Sequence, residues 1–146
     1  MLIYFLIKSK SSWKRMKIKR DISDFISIIK EGVAITCVIL FGSRARGDFT
    51  QFSDVDLIII GEFTERFLDR PLKLLTKNNT PYNFEIFCYT ELEFDSMFKC
   101  GNVLVLDAIY EGIPLEGQEF FDLYKERMEI LKQQGLKRSN CTWILV

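Results

Sequence analysis

Histidine is absent from this chain of 146 residues. The absence excludes catalytic triads that use a histidine base and zinc sites that use histidine ligands. The four cysteines, at positions 37, 88, 100 and 141, show no Cys-x-x-Cys spacing. They do not indicate a disulfide framework and are typical of a protein of the reducing cytosol, so we predict a cytoplasmic location.

Neither sign of charge is in excess, because the chain has 20 Lys and Arg residues and 20 Asp and Glu residues. Binding of nucleic acid across the whole surface is therefore not expected. The basic residues are nevertheless concentrated between residues 8 and 20, where seven Lys or Arg residues occur without an acid. Such a run is typical of a solvated segment, and contact with nucleic acid is the alternative.

The first seven residues, Met1–Ile7, are apolar but too few to cross a membrane. Basic residues follow this run, whereas in a signal peptide they precede it. No membrane partner is expected. Residues 1–17 are predicted to be a basic extension that is poorly ordered or lies before the true start. Residues 18–146 are predicted to form a single domain with a C-terminal helix.

The spacing of apolar residues predicts an α/β fold in which a small mixed β-sheet is flanked by α-helices. Continuous or alternating apolar runs predict strands at 33–41, 55–60 and 82–89. Helical spacing predicts helices at 18–31, 63–77, 90–99, 103–110 and 118–134, and Pro71 is expected to kink or restart the second. The terminal Trp143–Val146 is predicted to form a short strand or to meet a partner.

A glycine-serine turn and two aspartates lie on either side of one short loop. Gly42 and Ser43 directly follow the first strand, where glycine permits a sharp turn and the hydroxyl can donate to a phosphate oxygen. Asp54 and Asp56 are two residues apart on the next strand, so their carboxylates point to the same face. Taken separately, these features fit an ordinary turn and a solvated strand start. Taken together, they favour a site for a nucleoside triphosphate and Mg²⁺.

The pattern Gly-Ser-x10-Asp-x-Asp resembles that of the DNA polymerase β-like nucleotidyltransferase superfamily. Residues 42–47, which read GSRARG, and residues 53–57, which read SDVDL, are similar to its minimal nucleotidyltransferase (MNT) group. The resemblance covers roughly residues 18–117. It implies the nucleotidyltransferase fold, ATP as substrate and two Mg²⁺ ions, with Mn²⁺ as an alternative.

The resemblance also implies a third acid on a neighbouring strand, for which Glu85 is the candidate. It is the one acid in the apolar run 82–88, where an ionised side chain is costly to bury without a partner. Asp54, Asp56 and Glu85 are thus the candidate catalytic and metal-binding residues. The superfamily more often has Asp at the third position. The alternative is a Glu on an edge strand that faces water.

The phosphate groups are expected to bind Gly42, Ser43, Arg44 and Arg46. Arginine is suited to phosphate because its planar fork donates twice. If the turn is extended, only one of the two arginines can face the leaving group. The alternative for either arginine is a surface ion pair, for example with Asp48.

Members of the MNT group commonly work as antitoxins with a helical HEPN partner and transfer AMP to one of its tyrosines. Transfer of AMP to such a protein is therefore the function that the resemblance implies. One alternative is a binding module without activity that masks its partner, and another is a small-molecule transferase of the aminoglycoside type. A partner or homo-oligomer surface is considered for Phe120, Phe121, Tyr124 and Trp143–Val146, although aromatic residues at helical spacing are more often core.

Overall fold

The structure, a computed structural model, describes the backbone of residues 12–146 and the side chains of residues 17–146. Helix α1 runs from Ser12 to Lys30 and so begins earlier than residue 18, the predicted start. Lysine and arginine are good helix formers, so a basic run can extend a helix as readily as it can form a solvated segment. The helix includes residues 12–17 of the predicted basic extension, and residues 1–11 lie outside the described residues. The extension itself stays a prediction. A single domain over 18–146 stays a prediction.

The predicted mixed sheet is confirmed. Its strands are β1 (Ile35–Phe41), β2 (Val55–Gly61), β3 (Phe84–Tyr89) and β4 (Ile113–Glu116), in the order β3-β2-β1-β4. Strand β2 pairs antiparallel with β1 and parallel with β3, and β4 pairs antiparallel with β1. Strand β4 was not predicted, because Gly112 and Pro114 indicate a break. Proline is tolerated there because β4 is an edge strand.

The short helix after β1 was not predicted, and the other remaining helices follow the predicted positions with one correction. They are α2 (Ser43–Arg46), α3 (Asp69–Leu75), α4 (Glu91–Lys99), α5 (Val103–Glu111) and α6 (Gln118–Gln133). Helix α3 is shorter than the predicted 63–77, because Pro71 occupies its first turn and the chain before it is irregular. At the start of α4, the predicted capping box is present between Thr90 and Glu93. None of the described helices is long and apolar enough to cross a membrane.

Two apolar layers enclose the sheet and decide which way each strand residue points. Val55, Leu57 and Ile59 of β2 pack with α1 and α3, whereas Ile58 and Ile60 pack with α4, α5 and α6. Because side chains alternate along a strand, Asp56 shares the α4–α6 face with Ile58. Glu85 shares that face with Tyr89 of β3. The two acids therefore lie on the same side of the sheet.

The aromatic residues of α6 belong to the core. Phe121 and Tyr124 are buried, and the partly buried Phe120 packs against the same cluster. Phe94 of α4 contacts Phe120 and Tyr124 with ring centroids 5.7 and 5.0 Å apart. The hypothesis of a partner surface at these three residues is therefore wrong, and the alternative of a core position is correct.

The C-terminal segment forms a separate hairpin of β5 (Leu136–Ser139) and β6 (Thr142–Leu145). Its inner side is held on α5, because the Trp143 indole N–H donates to Asp107 Oδ1 at 2.9 Å. The Trp143 ring also packs edge-on against Tyr110 at 5.3 Å. The predicted short strand at the terminus is confirmed, and Ile144, Leu145 and Val146 remain exposed.

A buried arginine of α3 joins this helix to the end of β3. The Arg70 side chain is 8% exposed and donates from Nη1 to the Cys88 carbonyl oxygen at 3.3 Å. Its guanidinium also donates to both carboxylate oxygens of Glu93, at 2.7 and 3.2 Å. This contact lowers the pKa of Glu93. One ion pair thus secures α3, β3 and the first turn of α4.

Candidate functional site

The turn after β1 is built around Gly42, which separates β1 from the single helical turn α2. Gly42 has φ 72° and ψ −157°, a backbone conformation that residues other than glycine rarely adopt. A Cβ at this position would overlap the Asp56 carboxylate and lie 3.2 Å from its Cγ. The backbone of the turn and a strand carboxylate are therefore in direct contact, as the sequence motif suggested.

The serine of the motif begins helix α2. The Gly42 carbonyl accepts from Ala45 N and Arg46 N at 3.1 and 3.0 Å, which closes the turn behind it. Within the described residues, the Ser43 hydroxyl makes no hydrogen bond to a protein group. It is available to donate to an anion beside Gly42.

The three predicted acids lie near one another, with Asp56 at the centre. Asp56 and Glu85 occupy paired positions of the parallel strands β2 and β3. Asp54 directly precedes β2 and is exposed, Glu85 is exposed, and Asp56 is half-buried. The pKa of Asp56 is raised to about 6 by burial first, then by the charge and hydrogen-bonding contact of Glu85, and by the charge of Asp54. Arg46 acts in the opposite direction.

This cluster has the donor chemistry of a magnesium site. Hard carboxylate oxygens are the ligands that Mg²⁺ prefers, and close like charges are relieved when a cation binds between them. In the described part of the chain, no three acidic or cysteine side chains converge closely enough to hold an ion in their present positions. Glu85 already contacts Asp56, so the exposed Asp54 side chain would have to approach this pair to complete a site.

The two arginines of the motif have different environments. Arg44 is 6% exposed and donates from Nε and Nη2 to the Ser53 carbonyl oxygen at 3.1 and 2.8 Å. Its guanidinium lies over the rings of Phe49 and Tyr82, at 4.9 and 5.7 Å. Burial lowers its pKa. Arg44 thus fixes the residue before Asp54, and its fork is engaged by the protein itself.

Shortening this fork is expected to loosen the loop before Asp54. The variant Arg44→Lys loses one of the two hydrogen bonds and the stacking on Phe49, so the free energy of unfolding should fall by about 1–3 kcal/mol. Chemical denaturation checks the change, with the exposed Arg66→Lys as the matched control. Equal stabilities of the two variants would show that the Ser53 contact contributes nothing.

Arg46 is partly free. It is 42% exposed, and it donates from Nη1 to Glu111 Oε1 at 2.7 Å and from Nε to Asp48 Oδ2 at 3.3 Å. These contacts raise its pKa, with the Glu111 hydrogen bond as the larger cause. The surface ion pair with Asp48, considered as an alternative, is present. Glu111 was missed because it directly follows a distant predicted helix, 103–110, and no local signal connects it to the motif.

Comparisons with known proteins agree with this geometry. The family profile described as "Nucleotidyltransferase domain" matches residues 22–134. The "Putative protein adenylyltransferase" of Methanocaldococcus jannaschii is 37% identical over 71 residues, which are 47% of this chain and 71% of that protein.

Two crystal structures share the fold. A toxin–antitoxin with AMP-PNP is 16% identical, with a TM-score of 0.55 and coverage of 76% of this chain and 86% of the other. A mutant of the toxin–antitoxin MntA-HpeT is 18% identical, with a TM-score of 0.51 and coverage of 76% and 85%. From the match to the family profile over residues 22–134, the chain belongs to the nucleotidyltransferase domain family.

Proposed function

We propose that this chain is a magnesium-dependent nucleotidyltransferase that transfers AMP from ATP to a hydroxyl group of a partner protein. The observation that carries the proposal is the position of Asp56, which touches the Gly42 turn on one side and pairs with Glu85 on the other. Asp56 thereby joins the turn that would bind phosphate to a pair of carboxylates. This juxtaposition is what joining a metal ion to a triphosphate requires.

Each residue then has a defined task. Gly42 admits a phosphate close to the backbone, Ser43 donates its hydroxyl to it, and Asp54, Asp56 and Glu85 would hold Mg²⁺ or Mn²⁺. When bound, the ion neutralises the triphosphate and polarises the α-phosphorus. The Glu85 carboxylate accepts the proton of the attacking hydroxyl. The new oxygen–phosphorus bond forms in line with the bond that breaks, and pyrophosphate leaves.

A protein acceptor is favoured over a small molecule by the names of the similar proteins. The relative from Methanocaldococcus jannaschii is named for protein adenylylation, and the two structures described above are toxin–antitoxin proteins. We infer that the acceptor is a tyrosine of a HEPN-type toxin, as the resemblance to the MNT group implies. The chain would act as the antitoxin of this pair.

Binding of ATP in the presence and absence of Mg²⁺ tests the metal–nucleotide site directly. Calorimetry on the wild type is expected to show binding that depends on Mg²⁺ and is lost in the Asp54→Asn/Asp56→Asn double variant. Asp122→Asn, on the exposed side of α6, is the matched control and should bind as the wild type does. Absence of binding by the wild type would refute the proposed activity.

A second candidate function is masking of a partner without catalysis. The exposure of Glu85 on an edge strand is the observation that favours it. The two functions differ in the role of the nucleotide. Neutralisation of a co-expressed toxin by the double variant would indicate masking, whereas loss of neutralisation together with loss of the AMP adduct in the toxin's mass spectrum would indicate transfer.

A further inference from the structure

We propose that Glu111 is a positioning residue that holds Arg46 ready for the β- and γ-phosphates of the nucleotide, and that the C-terminal hairpin fixes Glu111 through Arg138. The inference rests on the proposed function and assigns a role to residues that lie outside the sequence motif.

Glu111 is a largely buried carboxylate between two arginines. It is the last residue of α5, and its side chain is only 11% exposed. Its Oε1 accepts from Arg46 Nη1 at 2.7 Å and its Oε2 accepts from Arg138 Nη1 at 3.4 Å. A carboxylate this far from water must be paired, because an uncompensated buried charge is strongly unfavourable. Both arginines are therefore held where Glu111 places them.

Arg46 keeps part of its donor capacity for another group. A guanidinium has five N–H donors, and the contacts to Asp48 and Glu111 within the described residues engage Nε and Nη1. Nη2 and the second N–H of Nη1 remain, on a side chain that is 42% exposed. Helix α2 is one turn long and follows Gly42 directly, so these donors lie beside the turn that touches Asp56. Arg44 has no such freedom.

The hairpin supplies the second partner of Glu111 and is itself held on α5. Arg138 forms an ion pair with Asp107, whose Oδ1 lies 3.2 Å from Arg138 Nε and also accepts from the Trp143 indole. The Arg138 guanidinium also lies 5.3 Å from the centre of the Tyr110 ring. A continuous set of charged contacts thus connects the hairpin, α5 and α2. The end of the chain thereby contributes to the geometry of the nucleotide site.

A comparison of ATP with AMP separates positioning from a general effect on the fold. With Mg²⁺ present, Glu111→Gln is expected to raise the Kd for ATP about tenfold, because the Arg46 guanidinium is then no longer held in one orientation by an ion pair. The Kd for AMP should stay within about twofold, since AMP has no β- or γ-phosphate. Arg46→Met should show the same selectivity. The double variant should be no weaker than Arg46→Met alone, because Glu111 acts through Arg46. Arg138→Met should produce a smaller loss of the same kind.

Asp95→Asn is the matched control. Asp95 is also a carboxylate between two cations, Lys99 at 2.6 Å and Arg127 at 2.7 Å, but it joins α4 to α6. Its variant should leave ATP affinity unchanged. The inference is overturned if Glu111→Gln binds ATP as tightly as the wild type, if AMP binding falls equally, or if the two losses add. These outcomes leave the proposed function intact, whereas a wild type that does not bind ATP overturns both.

Discussion

Asp56→Asn is expected to abolish nucleotidyl transfer and at the same time to stabilise the metal-free protein. Activity should fall by about 1,000-fold or more, because the side chain at the centre of the proposed site is then uncharged and no longer serves as a carboxylate ligand of the ion. The free energy of unfolding at pH 7 should rise by about 1–2 kcal/mol. The gain follows from removing a half-buried negative charge that faces Glu85.

The pKa of Asp56 determines how the stability of the folded protein changes with pH. The pKa of Asp56 is about 6 in the folded protein and 3.8 for an ordinary aspartate. Between these values the folded state keeps a proton that the unfolded state has lost, so stability decreases as the pH rises through this window. The full shift corresponds to roughly 3 kcal/mol, which solvent screening of the half-exposed group reduces. Below pH 4 and above pH 7, this carboxyl makes no further change.

Denaturant unfolding at a series of pH values, without metal, measures the effect. The difference in stability between Asp56→Asn and the wild type should appear between about pH 4 and 6.5. Asp54→Asn is the control, because Asp54 is exposed and its loss should change activity far more than stability. A wild type whose stability rises through the same window relative to Asp56→Asn would contradict the prediction.

Gly42→Ala is expected to destabilise the fold and to prevent binding of ATP with Mg²⁺. The added methyl group meets the Asp56 carboxylate, and the alanine backbone must also adopt a φ of 72°. Strain of the backbone and overpacking together should lower the free energy of unfolding by about 3–5 kcal/mol. Either Asp56 or the turn has to move, so binding is lost even where the variant still folds. Denaturation and calorimetry measure the two effects.

Gly101→Ala separates backbone strain from the contact. Gly101 has φ 76°, nearly the same as Gly42, but a Cβ built there meets no atom within 4 Å. Its variant should lose only about 1–2 kcal/mol, the cost of the left-handed conformation, and should bind ATP normally. If Gly42→Ala and Gly101→Ala cost the same, the contact with Asp56 has no energetic importance.

Sequence reasoning could bring together those residues of the proposed site that are neighbours along the chain. Gly42, Ser43, Asp54 and Asp56 lie within fifteen residues, and the alternation of a strand is enough to place both aspartates on one face. The apolar runs also predicted three of the four sheet strands, and the Thr-x-x-Glu spacing predicted the capping box of α4. Glu85 was identifiable because an acid is conspicuous in an apolar run.

Contacts between distant segments could not be predicted in the same way. Arg44 and Arg46 are two residues apart and chemically identical, yet one is buried against the Ser53 carbonyl and the other is half exposed. Their difference depends on the aromatic rings and acids that the fold brings to them. Strand β4 was missed for a related reason, since its pairing with β1 outweighs the local preference of Gly112 and Pro114.

The ion pair of Arg70 with Glu93 has a consequence for how this protein could diverge. The connection between β2 and β3 contains α3, and Arg70 of that helix anchors it at the far end of β3, on the Cys88 carbonyl and the cap of α4. The turn at Lys77–Pro81 lies between that anchor and Glu85. Insertions in this turn therefore change the surface beside Glu85, the proposed catalytic acid, while the strand that carries it stays in register. The same frame could accommodate acceptors of different shape.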